Sequence, residues 1–224
     1  VPKLVVPVVA VGPALKGDLS DPLWRQAARL DGFVTLDDYQ PPRAPTEAYV
    51  LCDAQALYIG FVCHEPGGKP PVAETSGHDG PVGTDDRVEV VIDPTRGRTW
   101  LWHWAVNSIG VIWDALETSG KTLSRWTARP DCARSIGQDR WVCELRFPFG
   151  RLGWAPQPGE VWGLNLSRGR EVSHKEQSSW QPVTGAFNDP ETLGDVLLPE
   201  KDATVALRTL SRGGASADAN DDGR

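Results

Sequence analysis

The chain has 224 residues, 23 Lys and Arg against 30 Asp and Glu, and a formal net charge of −7. A chain of this length can bury a substantial hydrophobic core, and one large domain is expected. Its acidic balance, without a Lys/Arg cluster, argues against binding to nucleic acid or to an anionic membrane surface. No apolar run reaches the roughly 18 residues that a membrane-spanning helix needs.

The opening residues, "VPKLVVPVVAVGP", are apolar but interrupted by three prolines, which predicts an extended segment rather than the hydrophobic stretch of a signal peptide. The chain begins with Val and contains no Met, which favours a mature or trimmed product. Residues 21–30, "DPLWRQAARL", form the candidate for a short helix. Asp21 is its expected N-cap and Pro22 its first residue.

The remaining sequence alternates with the period of two that is typical of strands, and turn residues separate the runs. We predict an all-β fold, an antiparallel two-sheet β-sandwich with one short N-terminal helix, over residues 1–203. About nine strands are expected. In chain order they are "TEAYVLCD" and "ALYIGFVCHE" as one hairpin, "RVEVVID" and "TWLWHWAVN" as a second, "GVIWDALE", "RWTARPDCARS", "DRWVCELRFPF", "VWGLNLSRGRE" and "LGDVLLPE".

Two segments lack this alternation. We predict that residues 64–84 form a long loop. Long loops in compact domains are usually functional or mobile. Residues 204–224 predict a linker or disordered tail. The tail contains D-x-N-x-D-G at Asp218, Asn220, Asp222 and Gly223, which is similar to the first half of a dockerin calcium loop. This similarity predicts one module of a longer protein.

The four cysteines show no C-x-x-C spacing, which argues against a cysteine-based zinc site. With a turn at "IGQD", Cys132 and Cys143 face each other across a hairpin, which suits a disulfide. Cys52 and Cys63 flank another hairpin but fall out of register. The alternative is four buried free thiols in a cytosolic protein, and all three connectivities of a disulfide-bonded protein remain open.

Trp100, Trp102 and Trp104 share one face of a predicted strand. The strand before it presents an equally apolar row, Val88, Val90 and Ile92. Since two apolar rows on paired strands form a core face, we predict that the tryptophans pack inside rather than form a ligand platform.

The opposite face of the same hairpin carries Arg87, Glu89, His103 and Asn107. With "PTRGR" as the turn, Glu89 lies opposite His103, and Asn107 lies near Asp85. Asn165 of a later strand also faces outward. This polar face is either an ordinary solvated surface or a binding site, and alternation alone does not separate the two.

Seven stretches resemble the family 9 carbohydrate-binding modules, in order, over residues 14–199. They are "ALKGDLSDPLW", "YVLCDAQALYIGFVCHEP", "DDRVEVVIDP", "WAVNSIGVIWD", "RWVCELRFPFGRLG", "GEVWGLNLSRGR" and "SSWQPVTGAFNDPETLGDVLL". The resemblance implies a β-sandwich without catalytic activity that binds polysaccharide or oligosaccharide chains, often at their ends. It also implies secretion, structural calcium and a glycoside hydrolase module on the same chain.

The resemblance implies a carbohydrate site that includes Glu89, Asn107 and His103, and the outward face adds Arg87 and Asn165. Sugar-binding members hold the ring between two tryptophans. In this sequence the first of those positions is Gly83 and the second falls near Phe187, which becomes the expected stacking ring. Aspartates at strand ends, with Asp85 and Asp86 first among them, are the candidates for calcium ligands.

Other functions have less support. The catalytic motifs G-x-S-x-G, H-E-x-x-H and the P-loop are absent, and the four histidines lack metal-ligand spacing. Related sandwiches in electron-transfer subunits carry haem, for which His103 or His174 with a Lys would be the axial ligands. A spacer or protein-interaction module with a lost sugar site is the third alternative.

Overall fold

The computed structural model describes residues 3–77, 79–118, 121–157 and 159–198. The predicted tail and its calcium half-loop lie outside these residues. The described residues form fourteen strands: β1 Lys3–Val5, β2 Ala28–Leu30, β3 Val34–Thr35, β4 Thr46–Cys52, β5 Ala56–His64, β6 Arg87–Asp93, β7 Trp100–Asn107, β8 Ile112–Thr118, β9 Lys121–Leu123, β10 Asp131–Ile136, β11 Arg140–Pro148, β12 Glu160–Arg170, β13 Glu176–Ser179 and β14 Gly194–Leu198.

Two sheets form the predicted sandwich. The larger has the order β1-β14-β12-β6-β7-β8-β9, with β13 also pairing with β12 and β3 with β13, and the smaller has the order β10-β11-β5-β4-β2. All neighbours are antiparallel except β1, which runs parallel to β14. The two-sheet antiparallel prediction is confirmed, and the additional strands are the short ones that alternation over a few residues cannot reveal.

In the part of the chain that the structure describes, helical structure is limited to short segments. The predicted N-terminal helix is a 3-10 helix, Pro22–Gln26, and the Asp21 carboxylate accepts a hydrogen bond from the Leu23 amide as its N-cap. It ends earlier than predicted because Ala28–Leu30 pairs as a strand with β4. A second 3-10 helix is Val82–Thr84, and a single α-helical turn, α1, is Phe149–Leu152. No helix among the described residues has the length and apolarity to cross a membrane.

The core lies between the sheets and contains the tryptophan row. Trp104 is fully buried, Trp102 is 3% exposed, and Trp100 is half-buried against them. The Trp104 indole Nε1 donates to the Ala128 carbonyl at 3.0 Å, so its one polar atom is satisfied. The prediction that this row packs inside is confirmed.

The registers of the β6–β7 and β10–β11 hairpins differ from expectation by two residues. Glu89 pairs with Ala105 and His103 with Val91, so Glu89 does not lie directly opposite His103. Cys132 pairs with Leu145 and not with Cys143. In each case the turn is centred one residue later than predicted. This moves every partner by two but leaves each side chain on its predicted face, because strand side chains alternate with a period of two.

The register explains the state of the cysteines. All four are free thiols, and the sulfurs of Cys132 and Cys143 lie 4.0 Å apart without a bond. The predicted disulfide is therefore not formed in this structure. Cys52 and Cys63 are buried and out of register with each other, since Cys52 pairs with Leu57 and Cys63 with Thr46.

A buried ion cluster closes one end of the sandwich. The Arg168 guanidinium, 1% exposed, binds the Glu65 carboxylate and donates to the Ala44 carbonyl at 3.2 Å. Arg170 binds the same carboxylate, with Nη2 at 2.9 Å. These arginines belong to the "GLNLSRGR" stretch, and their contacts give them a structural role, because they join β12 to the end of β5.

Candidate functional site

The outward face of β6, β7 and β8 carries a row of charged side chains. Arg87 Nε donates to Glu89 Oε1 at 2.7 Å, and His103 Nε2 lies 2.8 Å from Glu89 Oε2. His103 Nδ1 lies 3.5 Å from Glu117 Oε1 on β8. We call Arg87, Glu89, His103 and Glu117 the outer-face ion network. Glu89 and His103 meet diagonally across the ladder, two residues from direct opposition, which is within reach of long side chains.

The outer-face ion network is covered although it lies outside the core. The side chains of Arg87, Glu89 and His103 are 8%, 8% and 10% exposed, and that of Glu117 is 12% exposed. Alternation predicts a solvent-facing surface for Arg87, Glu89 and His103, and the predicted face is correct but the predicted exposure is wrong. Buried charges are tolerated only when they are paired and hydrogen-bonded, as these are.

Charge pairing fixes the protonation of this network. Burial opposes the charged imidazolium, but hydrogen bonds to Glu117 and Glu89 and the two negative charges outweigh it and raise the pKa of His103 to about 9. Burial likewise opposes ionisation of Glu89, and the contacts with His103 and Arg87 reverse that effect and lower the pKa of its carboxyl. The hydrogen bond from His103 lowers the pKa of Glu117. At neutral pH the network therefore alternates positive and negative charges.

Asn107 and Asp85 hold the long loop 64–84 against the sheet, and their expected proximity is confirmed. The Asn107 amide Nδ2 donates to Asp85 Oδ2 at 2.9 Å and to the Thr75 carbonyl at 3.0 Å, while its Oδ1 accepts from the Val111 amide. Asp85 also accepts from the Glu74 amide at 3.0 Å. Both donors and the acceptor of Asn107 are thus already used within the protein.

The carboxylates of Asp85 and Asp86 do not fit a calcium site as they stand. Asp86 Oδ2 accepts from the Val72 amide at 2.6 Å and from the Val172 amide at 3.1 Å, and its Oδ1 accepts from the Glu171 amide. Calcium needs six to eight oxygen ligands, and these oxygens face N–H donors. Within the described residues no group of three or more His, Cys, Asp or Glu is arranged to hold a metal.

Asn165 and Phe187 are also buried. Asn165 lies on the outward face of β12, fully buried, and its Oδ1 accepts from the Gln181 amide at 3.0 Å, whereas its Nδ2 has no hydrogen-bond partner. Phe187 is 6% exposed, so its ring presents little surface for stacking. At the other expected clamp position, a Cβ built on Gly83 meets no atom within 4 Å.

A groove of about 400 Å³ opens where the outer-face ion network ends. Such a volume lies within the range of ligand pockets. We call it the polar groove. Apart from Trp100, Leu101 and Pro190, its lining residues carry charged, hydroxyl or amide side chains: Arg98, Thr99, Glu117, Thr118, Lys121, Thr122 and Asn188. Glu117 belongs to both features, because its Oε1 meets His103 and its Oε2 accepts from the Thr122 hydroxyl at 2.7 Å.

Neither Glu117 nor the polar groove was predicted from the sequence. The signal for Glu117 was present, since the alternation of "GVIWDALE" places it on the same face as Trp113 and Ala115, and Ala115 pairs with His103. The groove itself needs Asn188 and Pro190 from a segment between β13 and β14, and no sequence pattern shows where such a segment lies.

His103 is a poor candidate for a haem ligand in this arrangement. Both ring nitrogens face carboxylates, and the pKa of the ring is raised to about 9, so neither nitrogen offers a free lone pair near neutral pH. His174, the other candidate, is exposed.

Three comparisons place the chain among known proteins. The family model described as carbohydrate family 9 binding domain-like matches residues 15–201. A search of curated proteins finds no match. A candidate carbohydrate-binding protein from Bacteroides uniformis has a TM-score of 0.71 and 17% identity, covering 88% of this chain and 98% of its own.

Two further structures are of a family 9 carbohydrate-binding module from Caldicellulosiruptor kristjanssonii. The complex with glucose has a TM-score of 0.66 and 17% identity, and covers 88% of this chain and 95% of the other. The complex with cellotriose has a TM-score of 0.66 and 16% identity, and covers 98% of this chain and 100% of the other. At these identities the structures establish a shared fold.

Proposed function

Since the chain belongs to the carbohydrate family 9 binding domain-like family, we propose that it is a non-catalytic carbohydrate-binding module. We propose further that it acts within a secreted, multi-modular protein that attacks polysaccharides, with a catalytic glycoside hydrolase module as its partner. The structural neighbours bound to glucose and to cellotriose support a saccharide as the ligand.

The observation that carries the site assignment is the continuity of the outer-face ion network with the polar groove. The network itself is nearly closed to solvent, but Glu117 extends it into a groove that also contains Arg98, Lys121 and Asn188. A sugar in this groove would meet the Glu117 carboxylate, whose position is set by the buried His103 ring. Pre-organised polar groups lose less freedom on binding, which favours affinity.

The chemistry of the groove suits a sugar. Pyranose hydroxyls need donors and acceptors together, and charged partners make the stronger hydrogen bonds. Glu117 offers acceptors, Arg98 and Lys121 offer donors, and Asn188 offers both. Trp100, at the edge of the groove, supplies an aromatic ring against which a C–H face can pack.

In this proposal the predicted site residues differ in their distance from the sugar. Glu89, His103 and Arg87 form the charged floor that orients Glu117, and Asn107 fixes the adjoining loop. Phe187 precedes the groove residue Asn188, and Asn165 lies deeper on the same sheet face, where its Nδ2 is unpartnered.

Oligosaccharide titration by calorimetry tests this proposal, with glucose and cellotriose as probes and with insoluble polysaccharides in a pull-down. We expect saturable binding that falls at least about tenfold in Glu117→Gln, because a charged acceptor at the groove is lost. Glu47→Gln is the matched control, a carboxylate on the smaller sheet that pairs with Arg29. Repeating the titration with a chelator tests whether calcium contributes.

Failure of the wild-type chain to bind any of these saccharides would contradict the proposal and favour the interaction-module alternative. The missing ring at Gly83 and the buried ring of Phe187 are the observations that support that alternative.

A further inference from the structure

A second opening lies at the edge of the sandwich, where β7 begins and β8 ends. It has a volume of about 430 Å³, and it is lined by four tryptophans, two threonines and two leucines: Trp100, Trp102, Trp126, Trp154, Thr99, Thr118, Leu116 and Leu152. We call it the tryptophan cleft. It belongs to the space between the sheets and not to the outer face, so it is distinct from the polar groove.

The exposure of the indole rings in the tryptophan cleft increases from the core toward solvent. Trp102 and Trp126 stack with their planes 8° apart and centroids at 6.5 Å. Trp100 and Trp154 meet edge to face at 6.3 Å. Trp154 is 36% exposed and is the one tryptophan among the exposed large hydrophobic side chains of the described residues. An exposed indole that continues a buried cluster marks a binding surface more often than an isolated one does.

The tryptophan cleft and the polar groove adjoin each other. Thr99, Trp100 and Thr118 line both. Trp100 therefore stands between a charged compartment on one side and an aromatic compartment on the other. A ligand long enough to fill the polar groove and pass over Trp100 would reach the exposed ring of Trp154.

We propose that the tryptophan cleft is a second sugar subsite, in which a pyranose ring of a bound polysaccharide stacks on Trp154 and Trp100 while an adjacent ring occupies the polar groove. This inference rests on the proposed glycan-binding function and adds where the aromatic contact is made. It also assigns the ligand class as an extended chain, because a single ring cannot fill two compartments.

The mixed lining favours a sugar chain over an apolar peptide or lipid. A sugar ring has C–H faces for the indoles and hydroxyls for Thr99 and Thr118. An apolar ligand that extended past Trp100 would remove water from Arg98, Lys121 and Glu117 of the polar groove and offer them no hydrogen bonds in return, which is costly. Gly83 has no ring and the Phe187 ring is buried, so an aromatic contact with a sugar ring has to come from other residues.

Chain-length dependence tests the inference. β-1,4-linked glucose oligomers of one, three and six units are titrated into wild type, Trp154→Ala and Trp154→Phe. We expect wild-type affinity to rise from the monomer to the hexamer. Trp154→Ala should weaken hexamer binding about three- to tenfold and leave monomer binding unchanged, and Trp154→Phe should fall between. Ile136→Ala is the control, because Ile136 is an apolar residue on β10 of the other sheet that is 46% exposed, against 36% for Trp154.

Hydroxyl-radical footprinting separates direct contact from a change in folding. The peptide with Trp154 should be protected by the hexamer and not by glucose. Equal hexamer affinity of wild type and Trp154→Ala, with the monomer bound normally, would overturn the subsite and leave the proposed function intact. If wild type binds no oligomer at all, the proposed function fails and the subsite with it. Binding of an apolar dye at Trp154 without any sugar binding would also overturn it.

Discussion

His103 and Glu89 form a 2.8 Å contact across the β6–β7 ladder although each pairs with a different residue in the backbone register. The contact exists because both side chains point outward and lie on a diagonal of the sheet. With Arg87 on one side and Glu117 on the other, it produces a row of alternating charges that is shielded from water.

Removal of Glu89 should destabilise the domain. Glu89→Ala leaves the buried Arg87 and His103 without their shared counter-ion, and we expect a loss of about 3–5 kcal/mol in the free energy of unfolding. Glu89→Gln keeps the shape and should cost less. Urea denaturation measures both. Asp31→Ala, which removes an ion pair with Arg29 in which both side chains are more than half exposed, should change stability by no more than about 1 kcal/mol. Equal effects at both positions would contradict the burial of the network.

Stability should fall as the pH rises above neutrality. The folded state raises the pKa of His103 to about 9 from an ordinary value of 6.5, so the protonated ring stabilises the fold fully below 6.5. That contribution, on the order of 1–3 kcal/mol, is lost as the pH rises through 9. Chemical denaturation from pH 6 to 10 measures it. In His103→Gln the slope over this interval should flatten, and an unchanged slope would assign the effect to another group.

Trp104→Ala should lower the free energy of unfolding by about 3–5 kcal/mol, because removal of a buried aromatic ring leaves a cavity. The ring is fully buried and packs against Phe147 with centroids at 4.8 Å. Trp154→Ala is the matched comparison, since that ring is 36% exposed and should cost much less. Calorimetric melting measures the stability of both variants. Equal losses of stability would contradict the assignment of the tryptophan row to the core.

Glu144 should control the order of residues 16–19. Its fully buried carboxylate accepts from the amides of Lys16 at 2.7 Å and Asp18 at 3.1 Å, and from the Leu19 amide. Glu144→Ala leaves these donors unsatisfied and should lower stability by about 1–3 kcal/mol or more. Hydrogen exchange should show faster exchange of these amides than in wild type. Unaltered exchange would show that the segment is held by other contacts.

Cys132 should be the first thiol to react with a maleimide. It is the one half-buried cysteine, and a hydrogen bond from Cys143 lowers the pKa of its thiol. Burial raises the pKa of Cys52 and Cys63 to about 12, so these should remain unlabelled until the protein unfolds. Mass spectrometry after timed labelling checks the order. If Cys132 and Cys143 take up no maleimide even after the protein is unfolded, these two cysteines are oxidised in solution.

The sequence was sufficient for the fold and for the faces of its strands. Alternation assigns the row of Trp100, Trp102 and Trp104 to the core face and the row of Arg87 and Glu89 to the outward face. The structure agrees with both assignments. Turn centres were less predictable. The left-handed residues Arg96 and Arg98 and the hydrogen bonds from the Thr95 and Arg98 amides to the Asp93 carboxylate extend the β6–β7 turn, and local sequence did not indicate them.

The predicted solvent exposure of the site residues was the larger error, and its cause lies in tertiary contacts. Alternation assigns a side chain to a face but does not show what covers that face. Here loop 64–84, bonded to Asp85 and Asn107, lies at one end of the row, and the segment before β14 lies near the other. The segment before β14 comes from a distant part of the sequence, and loop 64–84 is held against the sheet by a contact with Asn107 of another strand, so neither the burial of Glu89 nor the polar groove had a local signal.

The nested indoles give the domain an optical signature. Trp102 lies within 5.5–6.5 Å of Trp100, Trp104, Trp126 and Trp162, measured between ring centroids. Rings held this closely in fixed orientations couple their electronic transitions and give intense near-ultraviolet circular dichroism. That band depends on side-chain packing and disappears when packing loosens while secondary structure persists. Unlabelled protein therefore carries a built-in spectroscopic reporter of how tightly its two sheets are joined.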